Sequence, residues 1–125
     1  MKLSSIANLI SGSLSPSDYS SEISAELARH SLGLGSGGSA PVAVNEDIDL
    51  VLDPQGLGAL CRIFASGQLS ASELAYTADA LQLSDRVEFA GELVADHLAE
   101  CTDPEINGPL TIARALEITG YGSAA

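Results

Sequence analysis

The stretch Ser84–Pro104, SDRVEFAGELVADHLAECTDP, sorts its residues by charge at helical spacing. Placed on a helix at about 100° per residue, Asp85, Glu88, Glu92, Asp96, Glu100 and Asp103 fall within an arc of roughly 120°. Opposite them lie Val87, Phe89, Ala90, Leu93, Val94, His97, Leu98 and Cys101, an apolar arc wide enough to face a core. The periodicity predicts one helix over this whole stretch, with an acidic stripe on its outer side.

Local energetics do not account for that stripe. Glu88/Glu92, Glu92/Asp96 and Asp96/Glu100 are like-charge pairs at i,i+4, each costing an isolated helix about 0.2–0.5 kcal/mol. Arg86, the only cation in the segment, sits at the edge of the apolar arc, so none of the pairs is expected to have a compensating base. Asp85 and Glu88 suit the positive end of a helix dipole, whereas Asp96 and Glu100 stand towards the negative end. A solvated face serving solubility is the plain explanation. A docking surface for a strongly cationic molecule is the functional one.

The totals favour a protein partner. The chain has 125 residues, the size of a single domain, and carries 17 Asp plus Glu against 5 Lys plus Arg, a formal charge of −12. Such a surface repels nucleic acid and anionic lipid and attracts basic proteins or cations. Cys61 and Cys101 each lie in an apolar helical pattern, which reads as buried thiols in a reducing compartment. The first residues, MKLSSIANLISGSLS, have one basic residue and a short, serine-interrupted apolar run, so the expectation is no signal peptide, no membrane span and a cytoplasmic location.

Outward from the acidic stretch, helix-start chemistry recurs. Ser4 is placed to cap a short helix carrying Ile6, Leu9 and Ile10 and stopped by Gly12. Ser15, with Pro16 at N1 and Asp18 at N3, opens a helix to about Leu32, with Tyr19, Ile23, Leu27 and His30 along one side. Residues 33–41, GLGSGGSAP, read as a flexible loop, with no domain boundary implied. Residues 42–52, VAVNEDIDLVL, fit a short extended segment or a helix start. Asp53-Pro54 starts a helix with Leu57, Leu60, Cys61 and Phe64 inside and Gly67 after it. Ser70 and Glu73 form a capping box ahead of Leu74, Ala78 and Leu81. Ser84 then caps the acidic helix. After the turn signals Asp103-Pro104 and Gly108-Pro109, a last helix over LTIARALEIT closes at Gly120, and residues 121–125 fray. The expectation is a single all-α domain, a bundle of about six helices with one long glycine-rich loop.

Chemical motifs are sparse. Gly33, Gly35 and Gly38 spell GxGxxG but follow a helix and precede Ala40-Pro41, without the strand-turn-helix setting of a dinucleotide site. His97 and Cys101, with His30 and Cys61, have the residue types of a zinc set, yet His97 and Cys101 point into the apolar arc and no paired C-x-x-C supports them. Asn45, Asp47 and Asp49 alternate like a calcium loop, but Leu50 takes the glycine position and Gly56 the final glutamate position. No G-x-S-x-G occurs, and the carboxylates lack the apolar walls that shift a pKa. Neither catalysis, nor a cofactor, nor a metal is expected.

The segment GQLSASELAY at 67–76, the DALQL at 79–83, the acidic stretch and the turn TDPEINGP at 102–109 together resemble small acidic helical immunity proteins of bacterial contact-dependent growth inhibition systems. The resemblance covers roughly residues 57–118 and is one of general character. It implies a cytoplasmic, non-catalytic inhibitor binding one cognate toxin domain, often a nuclease, in a 1:1 complex, with neither nucleic acid nor membrane as a partner. The physics is compatible, since carboxylates one helical turn apart stand about 6 Å apart along the axis and match a groove built for phosphates.

On this reading Glu88, Glu92, Asp96 and Glu100 form the central row of the contact, Glu73, Asp79, Asp85 and Asp103 surround it, and Tyr76 and Asn107-Gly108 are candidate anchors. Two rivals belong to other classes. A structural or adaptor subunit would leave apolar helix faces uncovered in the isolated chain, and a metal-dependent enzyme would use the His and Cys positions.

Overall fold

Several helices begin where capping side chains stand. In the computed structural model, which describes residues 1–35, 44–102 and 110–123, α1 spans Leu3–Ser11, α2 Pro16–Gly35, β1 Leu50–Leu52 and α3 Pro54–Ala65. They are followed by α4 over Ala71–Leu83, β2 over Val87–Phe89, α5 over Glu92–Glu100 and α6 over Ile112–Ser123. The Ser15 hydroxyl accepts from the Asp18 N–H at 3.1 Å, and the Asp53 carboxylate accepts from the Gly56 N–H at 2.7 Å. Ser70 and Glu73 complete the capping box, with the Glu73 N–H on the Ser70 hydroxyl at 3.1 Å and the Ser70 N–H on the Glu73 carboxylate at 2.8 Å. Each contact satisfies an amide that the first helical turn would otherwise leave open.

The protein is mostly helical, but a two-stranded parallel sheet joins β1 to β2, so the all-α expectation is too narrow. The single helix expected over 84–104 is also corrected. Ser84 is buried and its hydroxyl donates back to the Ala80 carbonyl at 2.7 Å, finishing α4 instead of capping a new helix. The chain then pairs in the register Leu50↔Val87, Val51↔Glu88, Leu52↔Phe89. Val87 and Phe89 pack against the core while Glu88 is exposed, a period-two pattern that a strand satisfies. Leu50 N–H to the Arg86 carbonyl and Ala90 N–H to the Leu52 carbonyl, both 2.9 Å, extend the ladder. Gly91, at φ +131°, then turns the chain into α5.

Other boundaries move for similar reasons. Lys2 precedes α1 without a side-chain cap, and Ser4 lies within the helix. Asp47 supplies the cap from the 44–49 segment, accepting the Ser4 N–H at 3.0 Å and the Ser4 hydroxyl at 2.5 Å. The extended alternative for residues 42–52 holds at β1, and α2 runs on to Gly35. The remainder of the 33–41 loop, residues 36–41, lies outside the described residues, as do the turn signals at 103–109. α6 passes through Gly120 to Ser123, so Gly120 is not its stop.

The core gathers on α3, which packs against α1, α4, α5, α6 and β1, most extensively against α6. Leu57, Leu60 and Cys61 are buried on it, and across from them lie Leu52, Leu98, Ala115 and Ile118. The Thr119 hydroxyl of α6 sits 3.2 Å from the Gly58 carbonyl, the close approach that a small-residue surface on α3 permits. At the other end Tyr19 of α2 is buried with its hydroxyl 2.5 Å from that of Thr77 on α4. The Thr77 hydroxyl donates to the Glu73 carbonyl at 2.8 Å, which leaves Tyr19 as the donor to Thr77.

Candidate partner-binding site

The acids divide by what already holds them. Asp53 and Asp47 cap helices, and Asp49 receives the Arg86 Nε–H at 2.8 Å. Arg86 also donates to the Glu46 carbonyl at 2.7 Å, and its N–H to the Glu46 carboxylate at 2.9 Å. Hydrogen bonds from the Ser4 side chain and backbone hold the Asp47 carboxyl below the usual carboxylate range, and Arg86 does the same for Asp49. Glu46, Asp47 and Asp49 are spent on tying the 44–49 segment to its neighbours.

Of the eight residues expected in the contact, Glu73 belongs to this structural group. Burial pushes its carboxyl up, but hydrogen bonds from the Ser20 side chain and from Ser70 outweigh burial and leave it below its ordinary value. Asp79 is half-buried on α4. Glu100, at the end of α5, is half-buried and engaged by Arg114, with Nε–H on Oε1 at 2.9 Å and Nη2–H on Oε2 at 3.0 Å. The expectation that no base compensates the stripe therefore fails at Glu100. The compensating cation comes from α6, beyond the reach of any pairing within one helix.

Asp85, Glu88 and Asp96 remain. All three are exposed, in the turn after α4, on β2 and on α5 respectively, and among the described residues none of their side chains has a hydrogen bond or ion pair. Glu92 is the first residue of α5, its side chain outside the described set, and Asp103 lies outside it altogether. The row is thus distributed over a turn, a strand and a short helix. Glu88 and Glu92 are separated by Gly91 and are not helical i,i+4 neighbours.

No family model, curated protein or solved structure matches this chain.

Apolar side chains that sequence periodicity assigns elsewhere lie beside these acids. Val51 is 58% exposed and, as the register partner of Glu88, projects from the same side of the sheet. Leu93, expected in the apolar arc, is 51% exposed on α5. Tyr76 is buried and cannot serve as an exposed anchor; Asn107-Gly108 lies outside the described residues. The alternation of VEF with Gly91 behind it admits a strand but is too short to decide against a helix, and the apolar neighbour Val51 is set by the pairing register.

Among the described residues, no group of three or more His, Cys, Asp or Glu side chains is placed to hold a metal, and no helix is long and apolar enough to cross a membrane. An open groove between α2 and α4 is lined by Ser17, Ser20, Ser21, Ser24 and Glu73, with Leu27 and Ala28. Its polar lining consists of serine hydroxyls and the capping-box carboxylate, without a histidine or cysteine to activate them.

Proposed function

We propose that the protein is an immunity-type inhibitor that binds a cognate basic toxin domain, a nuclease by preference, in the cytoplasm and without catalysis. The observation that carries this reading is the division among the acids. Many carboxylates hold the fold together, whereas Asp85, Glu88 and Asp96 are exposed and, among the described residues, uncompensated in a chain of charge −12. Uncompensated surface charge steers an oppositely charged partner and raises the encounter rate, while desolvated apolar contacts lengthen the complex's life. Val51, the register partner of Glu88, and Leu93, on the same helix as Asp96, offer exposed apolar contacts beside those acids. Glu92 and Asp103 continue the same series in sequence.

The test is co-expression with a basic domain encoded by the adjacent reading frame. Growth rescue by the wild-type chain, lost in the Glu88→Lys/Asp96→Lys double variant at equal protein level, is the expected result. Rescue that survives the double reversal, with unchanged affinity at low salt, removes the acidic contact from consideration.

A structural or adaptor role draws on a different observation. Ile112 and Leu116 are both more than half exposed at i,i+4 on α6, on one uncovered apolar strip. Self-association or a larger assembly would cover it. A monodisperse monomer by light scattering at high concentration argues for the inhibitor reading instead.

A further inference from the structure

Beside the sheet the structure holds a groove of about 330 Å³, lined by Ala7 and Ile10 of α1, Leu50 and Val51 of β1, and Asp53 and Gly56 at the start of α3. None of the described residues lining it belongs to β2, so it lies along the edge of β1 that β2 leaves open. That edge has backbone groups to offer. Leu50 donates to the Arg86 carbonyl and the Leu52 carbonyl accepts from Ala90, so both residues direct their bonds to β2. In a parallel ladder the residue between two such residues points its N–H and C=O the other way. That residue is Val51, and among the described residues no group bonds its N–H or its C=O.

Acids surround this exposed valine. Asp53 lines the groove and uses one carboxylate oxygen, Oδ1, on the Gly56 N–H; its Oδ2 has no partner among the described residues. Asp49 stands two residues before Val51, on the same face by strand alternation, with its side chain 82% exposed. Glu88 is the register partner of Val51 across the sheet. A strand laid beside β1 would therefore meet acid, valine, acid on one face, and the apolar groove on the other. A second copy of this chain fits poorly, because pairing Asp49–Asp53 with itself sets like charges opposite one another.

We propose that an extended basic segment of the partner adds to β1 as a third strand. Its main chain bonds the Val51 N–H and C=O, its small apolar side chains enter the groove against Ala7 and Ile10, and its lysines or arginines stand opposite Asp49 and Asp53. The inference names the element by which the partner makes contact, and it rests on the inhibitor reading for the identity of that partner. Main-chain bonds supply affinity in such an addition, while the alternation of basic and apolar side chains supplies the choice of segment.

The experiment titrates the isotope-labelled full chain, at low salt, with the peptide acetyl-KVVVK-amide and separately with acetyl-EVVVE-amide, following the backbone amide resonances. The lysine peptide is expected to move Ala7, Ile10 and Leu50–Asp53 together, and the glutamate peptide to move none of them. Ala7→Trp fills the groove from α1, and Val51→Pro removes the outward N–H while Leu50 and Leu52 keep the ladder. Each is expected to weaken peptide binding by about tenfold, with its urea midpoint showing that it is folded. No response at these amides, shifts spread evenly over the exposed acids, equal shifts from the glutamate peptide, or binding that persists in both variants would overturn the proposal. The same resonances moving with protein concentration alone would make a second copy the occupant and overturn it too. Titration with the basic domain of the adjacent reading frame separates the two readings. A complex that forms as tightly with Ala7→Trp removes the groove and leaves the inhibitor; groove binding of the lysine peptide without any complex removes the inhibitor and leaves the groove.

Discussion

Arg114 grips both carboxylate oxygens of Glu100, fastening the end of α5 to the start of α6, and its remaining Nη1–H reaches Glu117 at 2.9 Å. A carboxylate at a helix C-terminus is otherwise disfavoured by the dipole, so this fork is what makes Glu100 tolerable there. The Arg114 hydrogen bonds, with the charges of Arg114 and His97, hold the Glu100 carboxyl below its usual range despite partial burial. A carboxyl depressed in the folded state contributes stability at pH values above its unfolded pKa of about 4.3, and loses it as pH falls through the lower folded value. Replacing Arg114 by Met is expected to lower the urea midpoint at pH 7 and to return the Glu100 carboxyl towards its ordinary pKa, read by carboxyl NMR. Glu100→Gln is expected to flatten the fall in stability as pH drops below the unfolded carboxyl pKa of about 4.3. An unchanged acid limb in both variants would mean that the pair is lost to solvent screening.

What the chain discloses about itself divides along the range of the interactions. Caps at Ser15, Asp53 and Ser70 involve partners three residues away and are legible as local chemistry. The cap on Ser4 comes from Asp47, and the base for Glu100 from Arg114, both set by tertiary contact and invisible to a window. Helical periodicity failed at 84–91 because a short stretch of alternating VEF is compatible with either period over so few residues. Pairing with Leu50–Leu52 and the positive φ of Gly91 decided for the strand. Residues placed inside by the helix reading, such as Leu93, consequently came out.

Tyr19 and Thr77 supply a second measurable pair. Burial raises the Tyr19 phenol, against the lowering effect of its Thr77 hydrogen bond and with help from nearby Glu26 and Glu73. The unfolded phenol ionises near pH 10 while the folded one stays protonated, so the unfolded chain binds fewer protons above that pH. Stability contributed by Tyr19 is thus fully present below about pH 10 and falls above it, by up to roughly 1.4 kcal/mol per pH unit. Tyr19→Phe is expected to cost about 1 kcal/mol at pH 7 and to make the alkaline fall shallower. Urea titrations at pH 7, 10 and 11 measure both effects; equal alkaline slopes for variant and wild type would contradict the assignment.

Gly91 and Gly12 make a graded comparison of backbone cost. Gly12 ends α1 at φ 86°, ψ 4°, where an alanine is strained by about 1–2 kcal/mol. Gly91 stands at φ 131°, ψ 146°, a region close to glycine-only, where the cost rises to about 1–3 kcal/mol. A Cβ at Gly91 would meet Val94 at 3.4 Å and Pro54 at 3.6 Å, ordinary contacts, so conformation and not space sets the penalty. Gly91→Ala is expected to be the more destabilising of the two in thermal or urea unfolding. The reverse order would show that the chain can turn from β2 into α5 by another route.

The division of acids into structural and free ones makes a dissociation between stability and binding. Glu73→Ala removes one half of the capping box on α4 and is expected to cost about 1 kcal/mol of stability, with partner affinity preserved. Glu88→Lys with Asp96→Lys touches no hydrogen bond or ion pair among the described residues, so its urea midpoint should match wild type. Its association with a basic domain should instead slow by about tenfold or more at low salt, and the difference should shrink as ionic strength shortens the Debye length towards 8 Å. Stopped-flow association at 20 and 150 mM salt, beside urea unfolding of each variant, separates the two kinds of carboxylate. A Glu73 variant that loses the partner while the double reversal keeps it would move the contact from β2 and α5 to α4.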